Sequence, residues 1–415
     1  MTQQPFLKSI RPVSLLSFGP NTKEIELRSL NILIGPNGCG KSNLLEVIRI
    51  LSFLPEKEPW SSVLNTGGVL EWIWKGDKGR IVQSGIEVEM SLASLPEDHS
   101  IGTPSSFDFK YSLRLVEFQS AFRVVQETVQ TVSPKNEGPS RHSWIESNGS
   151  RGELHLRGEL PGDDPVFVNL NPERSILSQL SSLPGQLPHV AFPLQELYEI
   201  GQFFDSFDFH QDWEFGVDQS ARDPMPVGQP ISRLEEDARN LAQMLTYYRD
   251  YHPKTYNSVQ ELMRKFYEPF KGLEVRLIGT HLQVVVQEDS GYSIPAYRLS
   301  DGTLRWLALV TILLNPTPAP VTCIDEPELG LHPDIIPTLA DLLREASTRT
   351  QLVLTTHSRD LVECFSDEPE SICVCEKFKG STEIQRLSSE DLKVWLKDYS
   401  LGELWSSGQI GGNRW

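Results

Sequence analysis

Apolar and polar residues alternate in VSLLSF (13–18) and IELRSLNILIG (25–35), which predicts two strands running into a glycine-rich turn at 35–40. From Asn43 the spacing of LLEVIRILSFL becomes helical, and it stops at Pro55. Residues 56–130 are mixed, and the alternation in GRIVQSGIEVEMSL and FDFKYSLRLVEF predicts an antiparallel meander. Between 133 and 230 the turn-formers of SPKNEGPS, LPGDDP, LPGQLP and ARDPMPVGQP leave only short apolar runs, which predicts a large irregular insertion. Helices are predicted at 232–250, with Leu234, Ala238, Leu241 and Leu245 on one face, and at 258–267.

A strand pair follows in GLEVRLIG and HLQVVVQE, then an apolar helix, RWLALVTILL, stopped by Asn315 and Pro316. Two apolar strands come next, at 321–324 and in QLVLTT. A hairpin in SICVCEKFKGSTEIQRL and a helix from about 389 complete the pattern. The expected organisation is an N-terminal lobe with the glycine-rich loop and a β meander (1–130), an insertion, irregular and then helical (131–255), a second lobe (256–365), and a C-terminal hairpin, helix and tail (366–415). No long heptad run is present, so a coiled-coil arm is excluded.

Composition narrows the function. With 39% hydrophobic and 23% charged residues the chain has ordinary globular character. Its net charge of −18 works against a broad grip on a phosphate backbone, so any DNA contact needs a local basic groove. The five cysteines, at 39, 323, 364, 373 and 375, lack the density of a secreted disulfide scaffold. Alternation in ICVCEKF puts Cys373 and Cys375 on one strand face, as a buried thiol pair rather than metal ligands. The longest apolar run, 306–314, is about half of what a bilayer crossing needs, and no signal-peptide core opens the chain. A cytoplasmic protein without a membrane span is expected.

Candidate chemistry is concentrated in four places. Residues 35–42, GPNGCGKS, satisfy G-x-x-x-x-G-K-[ST] between a strand and a helix. In such a phosphate loop the amides of Gly35, Pro36, Asn37, Gly38, Cys39 and Gly40 wrap a β-phosphate, proline excepted as a donor, and the helix dipole adds positive potential. Lys41 reaches the β/γ oxygens, the Ser42 hydroxyl coordinates Mg²⁺, and Asn43 follows at the helix start. Cys39 is read as a tolerated small residue.

VTCIDE (321–326) is an apolar strand delivering two acids, Asp325 for the Mg²⁺ shell and Glu326 as the base for an attacking water. QLVLTT ends at His357, beside the expected γ-phosphate. LSDGT (299–303) opens a helix, where Ser300 and Gly302 form an anion site. That site is redundant beside Lys41 unless it faces a nucleotide held by another copy.

GPNGCGKS, LSDGT, VTCIDEPELGLHP and TTHS, in that order, resemble the ABC-type ATPase head of the SMC/RecF-like branch. More closely they are similar to stand-alone bacterial AAA-family ATPases, which are related to the heads of overcoming-lysogenization-type nucleases. The resemblance covers about 1–125 and 255–365. It implies an α/β fold with a mainly parallel core sheet, an antiparallel β subdomain and a helical or irregular insertion. It implies ATP and Mg²⁺ as cofactors and a head-to-tail homodimer, with each ATP between one phosphate loop and the other copy's 300–303 segment and with 329–333 at the dimer seam. For a Q-loop glutamine, Gln119 and Gln126 are both candidates.

Only residues 358–415 follow His357, too few for the Toprim domain of those nucleases. The resemblance therefore implies a molecular switch in an anti-phage or toxin-like system, controlling a separately encoded effector such as a nuclease. The alternative is a RecF-like ATPase that binds DNA in repair or processing. The tail tryptophans, Trp395, Trp405 and Trp415, read as anchors onto the core or as a partner-docking peptide.

Overall fold

The fold is taken from a computed structural model that describes residues 7–412 apart from 62, 64–66, 77–82, 94–105, 133–142, 149–150, 155–165, 183–191, 212, 217–218 and 229–231. Two units emerge. One holds residues 1–207, 373–387 and 410–415, the other 208–372 and 388–409.

In the first unit an eight-stranded antiparallel sheet runs in the order Ile25–Glu26, Leu7–Val13, Ser84–Ala93, Ser106–Phe118, Ala121–Val132, Ser143–Asn148, Arg151–Leu154, Val166–Asn169. The period-two pattern of its central strand explains its placement, since Phe109, Tyr111, Leu113 and Leu115 are buried while the residues between them are not. The helix Phe192–Asp205 covers this face, with Phe204 edge-on to Tyr111 at 5.5 Å. One acid is buried here. Glu127 is 1% exposed and accepts from the Tyr111 hydroxyl (2.7 Å), the Ser175 hydroxyl (2.6 Å) and the Ile176 amide (2.9 Å). Burial pushes its carboxyl up, and those donors oppose the shift.

The segment predicted to be irregular, 133–230, therefore carries three of these strands and a fourteen-residue helix among its described residues. VSLLSF also departs from expectation. Its strand ends at Val13, and Ser14 and Leu16 take φ of 52° and 51°, so the run folds as a turn that sends Leu15 and Phe18 into the core. IELRSLNILIG is two strands rather than one. The Asn31 side chain accepts from the Arg28 amide (2.8 Å) and donates to its carbonyl (2.6 Å), closing a turn between Ile25–Glu26 and Leu30–Ile34. Leu30–Ile34 then lies beside the hairpin Ile372–Phe378 and Ser381–Arg386. Cys373 and Cys375 are buried on that hairpin as free thiols, as the alternation implied.

In the second unit, Asp208–His210, Val321–Ile324 and Gln351–Thr355 form parallel pairs, and every residue of the latter two strands is buried. An antiparallel pair, Phe270–Ile278 and His281–Glu288, packs with the helices Leu241–Tyr251 and Pro253–Phe266. The predicted helix at 232–250 starts only at Leu241. The Asn240 side chain bonds the Glu235 amide (2.7 Å) and the Arg233 carbonyl (2.8 Å), and Ala238 sits at φ 55°, so the preceding stretch is held as a turn.

The helix Asp301–Leu313 is buried nearly all round and is anchored by Trp306, which is fully buried and stacked on Phe266 at 5.5 Å. Near the C-terminus, Ser400 and Glu403 form a capping box for Leu401–Ser406, which docks on Arg359–Glu363. Trp405 is buried there as an anchor, Trp395 is 45% exposed, and Trp415 lies outside the described residues. No helix among the described residues is long and apolar enough to cross a membrane.

Candidate nucleotide site

In the first unit, the strand Leu30–Ile34 delivers residues 35–40 to the helix Lys41–Phe53. Two glycines are required for this approach. Gly40 is left-handed, with φ of 109°, and a Cβ there would lie 2.2 Å from the Thr382 hydroxyl and 2.4 Å from that of Ser17. At Gly35, with φ of 151°, it would lie 2.3 Å from the Cys375 carbonyl. Thr382 closes the underside of the loop by donating to the Cys39 carbonyl (2.6 Å).

Lys41 is 6% exposed and turns its ammonium back on the loop, donating to the carbonyls of Gly35 (2.9 Å) and Pro36 (3.4 Å). The structure thus groups Gly35, Pro36, Asn37, Gly38, Cys39, Gly40, Lys41, Ser42 and Asn43 in one loop-to-helix junction whose close approaches leave no room for a side chain at Gly35 or Gly40. Cys39 has a neighbour that the sequence did not suggest: its thiol is hydrogen-bonded with that of Cys375. This contact and the Lys41 charge lower the Cys39 thiol against the opposing effect of burial.

The acids lie in the second unit. Asp325 and Glu326 leave the end of Val321–Ile324, where the next strand ends in Thr355. The Thr355 hydroxyl donates to Asp325 and accepts from the Glu326 amide (3.2 Å). Glu326 sits at φ 45°, a left-handed conformation that costs a non-glycine residue on the order of 1 kcal/mol or more. Its carboxylate lies 3.5 Å from His357 Nε2. Asp325, Glu326 and His357 are therefore brought together, as the sequence led us to expect.

Ser300 caps the helix Asp301–Leu313 by accepting from the Thr303 amide (3.1 Å). Gly302 lies against the 329–333 segment, and a Cβ on it would meet the Gly330 carbonyl at 2.7 Å. Arg222 is buried and pins the approach to this helix through the carbonyls of Ala296 (3.3 Å) and Leu299 (2.8 Å) and through the Asp301 carboxylate. Nothing in the local sequence pointed to it.

Neither Q-loop candidate lies on a parallel strand. Gln119 is in the turn between two strands of the antiparallel sheet, at φ 53°, and Gln126 is within that sheet, opposite Arg114. The glutamine that follows a parallel strand is Gln211, after Asp208–His210, and there the Asp325 amide donates to the His210 carbonyl (3.0 Å). The three-residue strand was too short for its periodicity to show.

The profile of a family described as "AAA domain, putative AbiEii toxin, Type IV TA system" matches residues 30–151 and 202–363. The chain belongs to that family. The "Retron Ec83 probable ATPase" of Escherichia coli is 27% identical to this chain over 167 residues, which are 36% of this chain and 30% of that protein. The match thus spans under a third of that relative's length.

Among solved structures, an SMC head bound to the C-winged-helix domain of ScpA superposes with a TM-score of 0.52 at 13% identity, covering 93% of this chain and 99% of that one. An SMC head from Thermotoga maritima gives 0.43 at 14% identity, with coverage of 92% and 99%. The first of these shares the fold. The chain thus shares the α/β fold of an SMC head, with the antiparallel β layer that the sequence led us to expect.

Proposed function

We propose that this chain hydrolyses Mg²⁺-ATP as a head-to-tail homodimer and acts as a molecular switch on a separately encoded effector, in a cytoplasmic defence or toxin–antitoxin system. The single observation that carries the hydrolytic reading is the Glu326–His357 pair, an acid and an imidazole 3.5 Å apart at the open ends of two buried parallel strands. The site residues fit the cofactors. Gly35 and Gly40 form a cradle that any Cβ would fill, and Mg²⁺ asks for only one or two protein oxygens when phosphates and water supply the rest. The candidate donors are the Ser42 hydroxyl in the first unit and the Asp325 carboxylate in the second.

Mg²⁺ held by these residues would supply charge neutralisation at the phosphates. The amides of the loop and the Lys41 ammonium hold the phosphate chain. Glu326 would accept the proton of the attacking water, and His357 Nε2, 3.5 Å from its carboxylate, would help to place it. Thr355 fixes both acids by its paired hydrogen bonds. Ser300 and Gly302 serve a nucleotide held by the second copy, whose release opens the dimer.

The family's description and the retron relative support the defence setting. The net charge of −18 supports a protein effector over direct DNA clamping. Mixing two inactive variants, Lys41→Ala and Ser300→Arg, tests the composite site. Subunit exchange places both lesions at one site and leaves the other intact, so activity returns on mixing. A disulfide between cysteines engineered near Ser300 and Gly38 that forms only within one chain overturns the head-to-tail arrangement.

A further inference from the structure

The motif DEPELG carries a third acid, Glu328, which the mechanism above does not use. Its Oε1 accepts three hydrogen bonds from the segment that carries the histidine: from the Thr356 hydroxyl (2.6 Å), the His357 amide (3.0 Å) and the Ser358 amide (3.2 Å). Thr356 is fully buried, and its hydroxyl also accepts from the Ser358 amide (2.9 Å). One carboxylate oxygen therefore gathers the backbone of 356–358 into a fixed turn at the end of Gln351–Thr355. That turn sets the direction in which the His357 side chain leaves.

We propose that Glu328 positions His357 toward Glu326, so that the acid strand, two residues beyond its own base, holds the histidine loop in register. The inference rests on the roles proposed for Glu326 and His357. Three features of the geometry support it. Pro327 stands between the two glutamates and fixes the backbone φ there, so the placement of Glu326 and that of Glu328 are coupled. Glu326 is at φ 45°, a conformation that persists only when its surroundings over-determine it, and the bonds from Glu328 to 356–358 and from Thr355 to Asp325 and Glu326 tie both sides of that residue to the neighbouring strand. Charge–dipole bonds of this kind, a carboxylate accepting from consecutive amides, are about twice as strong as neutral ones.

The second carboxylate oxygen, Oε2, is buried and has no hydrogen-bond partner among the described residues. The three bonds that gather 356–358 all go to Oε1, an acceptor that an amide side chain also provides. A role in binding a cation or moving a proton would need the carboxylate itself. Glu328 is thus a positioning residue, and Gln is its conservative replacement.

The test compares the wild type with Glu328→Ala, Glu328→Gln, Thr356→Val and Glu326→Gln in the full chain. It reads kcat and KM for Mg²⁺-ATP, thermal melting, and hydrogen exchange at the His357 and Ser358 amides. In Glu328→Ala, kcat falls by a factor on the order of 10 or more while KM stays within about threefold, because an interaction serving the transition state has been removed. Exchange at the two amides rises. Glu328→Gln restores kcat to within about threefold of the wild type and restores protection, and Thr356→Val falls between the two.

Wild-type kcat in Glu328→Ala, or a loss in Glu328→Gln as large as in Glu328→Ala, overturns the inference. Should Glu328→Ala not fold, the other two variants decide: a Thr356→Val protein with wild-type kcat and amide protection overturns it, and a reduced kcat beside an active Glu328→Gln upholds it. Glu326→Gln separates the two levels. If that variant turns over like the wild type, the hydrolytic reading beneath fails. If it is inactive beside a fully active Glu328→Ala, the positioning role alone fails.

Discussion

A single methyl group at Gly302 tests whether the segment opening the helix Asp301–Leu313 and the 329–333 segment are fitted to one another. In the native structure a Cβ at position 302 would lie 2.7 Å from the Gly330 carbonyl oxygen, where an ordinary contact begins at 3.4 Å. The obstacle is backbone and not the end of a flexible side chain, so one segment must move by several tenths of an ångström. Overpacking of this kind costs typically about 1–3 kcal/mol. In a unit of this size that lowers the melting temperature by about 2–4 °C per kcal/mol.

The displaced segment contains Ser300, so ATP turnover falls further than the stability loss accounts for, by a factor on the order of 10. Differential scanning calorimetry and steady-state phosphate release on Gly302→Ala measure both effects. Gly216→Ala is the control, since nothing lies within 4 Å of a Cβ at that position and its φ is not positive. A Gly302→Ala protein that melts and turns over like Gly216→Ala refutes the fitted contact.

Lys41→Ala removes the point charge of the phosphate loop, and calorimetric titration with ATP at millimolar Mg²⁺ should show no binding; wild-type affinity would remove the loop from the site. Burial pushes the Asp208 carboxyl up from 3.8 to about 6, with Arg233 opposing. The folded state thus holds a proton that the unfolded state has released, so this group's contribution to stability is complete below about pH 4 and is lost as pH rises through 6, by up to roughly 3 kcal/mol. Asp208→Asn should therefore stabilise the protein at pH 8 and leave it nearly unchanged at pH 4 in urea titrations; an equal effect at both pH values contradicts the assignment.

What the sequence revealed depends on how local each feature is. The glycine loop at 35–42 was legible because strand, glycines, lysine and helix are contiguous, and the paired acids because an apolar strand ends on them. His357 was reached in the same way. Residues whose meaning comes from a distant partner were not. Arg222 acts on carbonyls 74 and 77 positions away, Glu328 on amides 29 and 30 positions away, and Gln211 gains its place from a three-residue strand paired with Val321–Ile324. The turn at Ser14 and Leu16 was hidden because its apolar run reaches the core through left-handed residues rather than by alternation. Proline and glycine between 133 and 230 masked strands that are registered by their neighbours in the sheet, as Glu127 with Ser147 shows.

A homodimer closed by ATP should open only when Glu326 completes hydrolysis. Multi-angle light scattering on Glu326→Gln, with and without saturating Mg²⁺-ATP, tests it most directly, because this variant keeps the loop and the Mg²⁺ ligands while removing the base. A nucleotide-dependent species at twice the 46.9 kDa chain mass should form and persist as long as ATP is present. A Glu326→Gln protein that binds ATP and stays at the mass of one chain contradicts it.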